Sequence, residues 1–364
     1  MCGNQRGVQL LEWVTWRDLD RDPLAPTTET DATRVDIDEI LARGADVLLS
    51  MQSPDGGWHN PAFDVRSVAG SGSMYDYNVP RTARVVDALL TLRRRLPQRK
   101  AELEAAARRG NELVGAFADA PQPWIWHATY ALHLQIALLR SDLKTEHARA
   151  TERAVRLMKT LESLVQDGGW SYMPSPRTHS FNTAIVLLLF ADARALDLQV
   201  PGDAIANAQR FLASLRNPKD ERDYWYAPQM RFEPRASSCR SALCELALLQ
   251  SGDRGAQRRL GPAVDFFFEG EPGARSVTKI YESFLSPKPL QDAYHYYFGH
   301  YYAACALDHL AEPKAAALAK RQLAILKKQV EADGSFVDAQ AQGKSYSTAM
   351  ALLAMMKDLK HIRP

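Results

Sequence analysis

Two kinds of helical pattern alternate along the chain. The first is amphipathic: Ile37, Ile40, Leu41, Ala45, Leu48 and Leu49 recur at three- and four-residue steps with Asp and Arg between them. That pattern predicts an outer helix with one face in water. The second is apolar and small on nearly every side, as in Thr82-Ala83-Arg84-Val85-Val86-Asp87-Ala88-Leu89-Leu90 and Thr183-Ala184-Ile185-Val186-Leu187-Leu188-Leu189. Further copies are Thr129 to Leu134, Ser241 to Leu249, Tyr302 to Leu307 and Ser347 to Leu353. A helix with so little polar face belongs inside, packed on both sides.

A turn phrase separates the two patterns and returns. Gln52-Ser53-Pro54-Asp55-Gly56-Gly57-Trp58 has a second copy in Gln166-Asp167-Gly168-Gly169-Trp170. Degraded copies follow at Glu331-Ala332-Asp333-Gly334-Ser335-Phe336 and Asp223-Tyr224-Trp225. The aromatic positions 58, 170, 225 and 336 lie 112, 55 and 111 residues apart, which is two, one and two units of about 55 residues. Six such units predict an all-α fold, an α/α toroid of six inner and six outer helices in a single ring. An open solenoid needs atypical capping units at its ends. The last unit looks like the internal ones, so closure around a central cavity is expected. Residues 1–31 read as an irregular N-terminal arm and residues 32–364 as one repeat domain.

Composition narrows the class. Hydrophobic residues make up 46% and charged residues 24%, the balance of a soluble globular protein. The 45 basic residues nearly cancel the 43 acidic ones, which argues against a nucleic-acid surface. The basic stretch from Arg93-Arg94-Arg95 to Arg99-Lys100 reads as a solvated helix end. No apolar run approaches the roughly 18 to 20 residues that cross a bilayer, so no integral membrane segment is expected. Met1-Cys2-Gly3-Asn4 lacks the apolar core of a signal peptide, which makes the cytoplasm the default location. The four cysteines do not form a disulfide framework: Cys239 and Cys244 are five apart in a helical pattern.

The Gln-x-x-x-Gly-Gly-Trp turns, followed by Ser/Thr-Ala-rich inner helices, resemble the repeats of the terpenoid cyclase and protein prenyltransferase superfamily over roughly residues 35 to 357. Gly299-His300-Tyr301-Tyr302-Ala303-Ala304 and Lys344 to Ala351 are also similar to bacterial prenyltransferase/squalene-oxidase repeat proteins, whose name describes architecture. The resemblance implies that the recurring Gln and Trp hold adjacent helix pairs together. Class II cyclases of that superfamily carry an Asp-rich acid motif heading an inner helix. Here that stretch reads Asn78-Val79-Pro80-Arg81-Thr82-Ala83, so the acid is lost. Asp36-Ile37-Asp38-Glu39 looks like the motif but starts an outer helix, where capping is its expected role. Prenyltransferase β subunits bind zinc through Asp-x-Cys and His; the matching positions are Cys239, with Ser237 in place of the aspartate, and His300. Asp292 or His295 would complete a tetrahedral zinc site.

In a closed ring the residues at the start of each inner helix surround one mouth of the cavity. Candidate catalytic residues there are His300, His295, Asp292, Asp76 and Tyr346. Candidate ligand-binding residues are Tyr77, Asn78, Arg81, Trp126, His127, His179, Asn182, Arg235, Arg240, Tyr297, Tyr301 and Lys344. His295 and His300 are five apart, about 140° on a helix, and do not form a helical metal pair. The set is rich in aromatic, His and Arg residues and poor in carboxylates, which suits an anionic, lipid-like ligand; Arg pairs bidentately with phosphate or carboxylate. The leading expectation is a prenyltransferase- or cyclase-like ring that binds or processes an isoprenoid or other amphiphilic anion. One alternative is a uronate-directed polysaccharide lyase or hydrolase. Another is a non-catalytic ring that grips a protein partner.

Overall fold

The computed structural model describes residues 36–60, 77–172, 174, 177–228, 238–277, 296–338 and 343–362. The candidates Asp76, Arg235, Asp292 and His295 lie outside those residues, as does the N-terminal arm. The amphipathic stretches form six outer helices: α1 (Ile37–Ser50), α3 (Lys100–Asp119), α5 (His147–Ser163), α7 (Gly202–Ser214), α9 (Ala256–Val277) and α11 (Glu312–Lys327). The apolar stretches form six inner ones: α2 (Asn78–Leu92), α4 (Ile125–Leu139), α6 (Ser180–Arg194), α8 (Ser238–Ser251), α10 (Tyr296–Leu307) and α12 (Gly343–Ile362).

Burial follows the pattern. In α5, Ala150, Ala154, Leu157, Met158 and Leu161 are buried, while Glu152, Arg156 and Lys159 face water. In α6, every residue from Ser180 to Ala191 is buried. Asp36 caps α1, accepting a hydrogen bond from the Asp38 amide, so the acidic look-alike motif is a helix start.

Each inner helix packs on the next, in the order α2, α4, α6, α8, α10, α12, and α12 returns to α2. The ring is closed. What joins the units is the glycine-aromatic turn. The Trp58 indole donates to the Leu48 carbonyl at the end of α1 (2.6 Å), while the Trp58 amide donates to Thr82 Oγ1 on α2 (3.1 Å). Trp170 repeats both bonds, to Leu161 (2.7 Å) and Thr183 (3.0 Å). In the last unit the Phe336 amide donates to Thr348 Oγ1 (3.0 Å). The threonine that opens each Thr-Ala pair is therefore an acceptor for the turn, a role its sequence did not announce.

The same turn reaches the following unit. Gln52 Nε2 donates both to Gly56 of its own turn and to Ala106 of α3, each at 2.9 Å. Gly56 sits at φ +88°, and a Cβ there would lie 2.5 Å from the Arg109 carbonyl oxygen of α3. Only glycine allows that conformation and that approach. Gly334, at φ +89°, plays the same part against Arg43 of α1, and Arg43 donates to the Ala332 carbonyl. The sixth turn thus docks on the first outer helix.

Two readings of the sequence are corrected. Around the fourth turn, Arg216–Asn217 (β1) and Asp220–Tyr224 (β2) form a small antiparallel hairpin. The Asn217 side chain accepts from the Lys219 amide, which folds the tight connection. Tyr224 is the fully buried aromatic there, whereas Trp225 is half-buried. The basic stretch at 93–100 is not simply solvated. Arg93 is buried and donates to Glu104 and Asp142, because α3 and the turn after α4 bring carboxylates over it.

Thr183→Val keeps the side-chain shape but strands the buried Trp170 amide. The expected cost is about 1–3 kcal/mol in urea unfolding, with Thr183→Ser close to wild type. Equal loss in both variants would show that the hydroxyl does not carry the bond.

Candidate functional site

All six inner helices start at one end of the ring and finish at the other. Three tiers of side chains occupy the axis between those ends. At the starting end lies an aromatic basin. The Trp126 ring is edge-on to Tyr77, Tyr130, Tyr172 and Phe181, with centroids 4.7 to 6.3 Å away. Phe181 continues to Tyr226 (5.7 Å) and across the ring to Phe298 of α10 (6.3 Å). His179 lies against Tyr226 (4.5 Å) and Tyr172 (5.3 Å), and the Arg240 guanidinium sits 5.5 Å from the Tyr226 ring. Burial, with Arg240 and Arg177 nearby, lowers the His179 pKa to about 4, so its imidazole is neutral at neutral pH. The Trp126 indole N–H, His179 Nδ1 and both amide atoms of Asn182 are buried without a hydrogen-bond partner among the described residues.

The middle tier is filled. Arg84 of α2 is fully buried and reaches across the axis, donating to Tyr302 Oη of α10 at 2.8 Å. Its guanidinium lies 4.8 Å from the Tyr301 ring and 5.0 Å from Tyr130, in cation–π range. Tyr130 and Tyr346 join their hydroxyls at 3.0 Å across the ring. The open central cavity expected from the repeat is therefore interrupted at mid-height, because Arg84 and the large aromatics on α4, α10 and α12 point inward. His133 Nε2 lies 2.8 Å from both Arg84 Nη1 and Asp87 Oδ2. Arginine only donates and a carboxylate only accepts, so the ring serves one partner per tautomer. Burial and the Arg84 charge hold the His133 pKa below its ordinary value against the pull of Asp87.

At the finishing end a cavity of about 380 Å³ opens, lined by residues of α4, α6, α8, α10 and α12. The sequence expectation placed no site there. The legible signal was Arg84 and Asp87 in an inner helix, beside the His133 that lines the cavity, since such residues are seldom buried without purpose.

The candidate residues separate accordingly. Tyr77, Trp126, His179, Asn182 and Arg240 belong to the basin, Tyr346 belongs to the middle tier, and Tyr301 borders both the middle tier and the finishing-end cavity. Arg81 instead donates to the Trp58 carbonyl (3.0 Å), and the Asn78 carboxamide lies beside Gly57; both support the first turn. Lys344 is ion-paired with Asp333 of the last turn (2.6 Å). His127 packs on Phe117 and Trp124, and Tyr297 packs on Phe336, both toward the outer layer. His300 faces away from the axis too, between Phe267 of α9 and Tyr296, with Gln322 of α11 donating to its carbonyl. Cys239 packs against Gly299: a Cβ there would sit 3.0 Å from the Cys239 Cβ. The described residues hold no group of three or more His, Cys, Asp or Glu with metal-binding geometry.

No protein-family model matches the chain, and no curated protein matches it. Solved structures do. The GH76A α-1,6-mannanase from Salegentibacter aligns over 90% of this chain and 100% of its own, with a TM-score of 0.59 and 11% identity. The type II terpene cyclase MstE from Scytonema aligns over 90% of this chain and 99% of its own, with a TM-score of 0.55 and 14% identity. A protein from Actinoplanes aligns over 89% of this chain and 100% of its own, with a TM-score of 0.54 and 17% identity. The chain has the α/α toroid fold these proteins share, the terpenoid-cyclase-like architecture that its turns resemble. No helix among the described residues is long and apolar enough to cross a membrane.

Burial drives the His300 pKa to about 3, only partly opposed by Gln322. In the unfolded chain the ring protonates near pH 6.5. The unfolded state therefore binds the extra proton, and this group lowers stability progressively as pH falls below about 6.5. His300→Phe is expected to flatten the fall in urea midpoint between about pH 6.5 and pH 4 by roughly one proton. An unchanged slope would place His300 in a more polar setting.

Proposed function

We propose that the toroid binds an isoprenoid or a similar amphiphilic anion, with the apolar tail in the aromatic basin and the charged head at the mouth above it. The observation that carries this reading is the contiguous basin of Trp126, Tyr130, Tyr172, Phe181, Tyr226 and Phe298 beneath six inner-helix starts. Its π faces suit an unsaturated tail, and its unpartnered polar atoms ask for a ligand oxygen.

Electrostatics support an anionic head. Helix N-termini carry partial positive charge, and here six of them face one mouth. None of the six inner helices has Asp or Glu in its first turn. Arg240 is the third residue of α8 and reaches the basin edge at Tyr226. The mannanase and cyclase likenesses do not choose between sugar and lipid. A variant of the cyclase is known in complex with geranylgeranyl dihydroxybenzoate, and a variant of the mannanase with α-1,6-mannotetrose.

Farnesyl diphosphate is expected to quench tryptophan fluorescence saturably. Trp126→Leu should lose most of that signal, and Arg240→Gln should weaken binding about ten-fold. Saturable binding of α-1,6-mannotetrose with no response to the prenyl diphosphate would overturn the assignment.

A further inference from the structure

The cavity at the finishing ends of the inner helices is a separate compartment. Arg84, Tyr130, Tyr302 and Tyr346 fill the axis between it and the aromatic basin. One wall is apolar, made by Leu188 and Leu189 of α6 and Leu246 of α8. The lining also carries Tyr301 and Cys305 of α10, Lys357 and Lys360 of α12, Arg140, and the carboxylates Asp192 and Asp308. Apolar lining beside a surplus of cationic groups is a combination that suits an amphiphilic anion.

The charges around this cavity do not cancel. Arg140 is held by Asp192, at 2.6 and 3.2 Å. Asp87 is shared by His133 at 2.8 Å and Arg84 at 3.8 Å, and Asp308 faces His361 at 3.2 Å. Lys357 and Lys360 have no carboxylate within ion-pair distance among the described residues. The Lys357 ammonium instead lies 5.7 Å from the Tyr301 ring and faces the Cys305 sulfur. Burial keeps that thiol protonated, so it contributes no compensating charge. Among the described Arg, Lys, Asp and Glu side chains around the cavity, Arg84, Arg140, Lys357 and Lys360 stand against Asp87, Asp192 and Asp308, one more positive group than negative. Lys357 is the half-buried member of the unmatched pair and Lys360 stands exposed at the rim.

We infer that this cavity is a second binding site, for a small organic monocarboxylate with an apolar body. The carboxylate pairs with Lys357, with Lys360 and the Tyr301 side chain alongside, and the body lies on Leu188, Leu189 and Leu246. A single surplus charge favours a monoanion over a phosphate dianion. Arg140, the arginine that lines the cavity among the described residues and that would clamp a phosphate bidentately, is already engaged by Asp192. The volume of about 380 Å³ lies at the small end of ligand pockets. This site goes beyond the proposed isoprenoid reading and does not depend on it.

The test is calorimetric titration of the full chain with 2-naphthoate and 4-methylpentanoate, against 2-naphthamide and inorganic phosphate. At least one carboxylate is expected to bind, and the neutral amide and phosphate more weakly. Lys357→Met is expected to reduce carboxylate affinity about ten-fold or more. Its effect on the unfolding temperature should be small, since Lys357 is half-buried and has no carboxylate within ion-pair distance among the described residues. Lys360→Met, at the rim, should have a smaller effect. The inference fails if the amide binds as tightly as the acid, if Lys357→Met leaves carboxylate affinity unchanged in a folded protein, or if neither acid binds below about 10 mM. Farnesyl diphosphate quenching in Lys357→Met should match wild type, which separates failure here from failure of the basin assignment.

Discussion

The ring depends on one recurring hydrogen bond: a buried turn amide donating to the threonine hydroxyl that opens an inner helix. At Trp58, Trp170 and Phe336 this bond fixes the turn to its own inner helix. For the two tryptophans, the indole N–H fastens the same turn to the end of its outer helix. The preceding glycine, in a left-handed conformation, then lets the turn press on the next outer helix. Three helices meet at each such turn. Repeating that three-way junction around a circle leaves no unpaired end, because the last turn lands on Arg43 of the first outer helix. A buried amide without a partner costs about as much as a lost hydrogen bond, so the junction is strongly specified.

Closure has a chemical consequence. Parallel inner helices gather all their N-termini at one mouth and all their C-termini at the other, so the two ends differ electrostatically. The starting end combines positive helix ends with an aromatic basin and no first-turn carboxylate. The finishing end collects partial negative charge from the backbone, and its cavity is lined by Arg140, Lys357 and Lys360 together with Asp192 and Asp308. Between them, Arg84 holds its charge away from water by hydrogen bonds to His133 and Tyr302 and by the faces of Tyr130 and Tyr301. A ring with one continuous channel would serve one ligand. This ring is divided, and the two compartments present different chemistry.

The candidate residues that do not face the axis share a physical cause. A position in the first turn of an inner helix was taken to face the cavity, yet helical rotation sends some of those side chains outward. His127 and His300 point between the layers, and Tyr297 meets the last turn, because successive residues diverge by about 100° on a helix. Arg81 and Lys344 are drawn to nearby acceptors in the turns, the Trp58 carbonyl and Asp333. Trp126 and Tyr346 do face the axis, and their ring partners come from non-adjacent segments that no linear pattern links.

The sequence by itself determined the alternation of outer and inner helices, the unit length and the glycine-aromatic turns, because periodic burial and left-handed glycine positions are written in local order. Ring closure followed from the likeness of the last unit to the others. The filling of the axis, the pairing of His133 with Asp87 and Arg84, and the cavity around Lys357 were decided only in three dimensions. Each of those brings together residues from helices that are far apart in the chain, and the identity of such neighbours is set by the radius of the ring and the rotation of each helix within it.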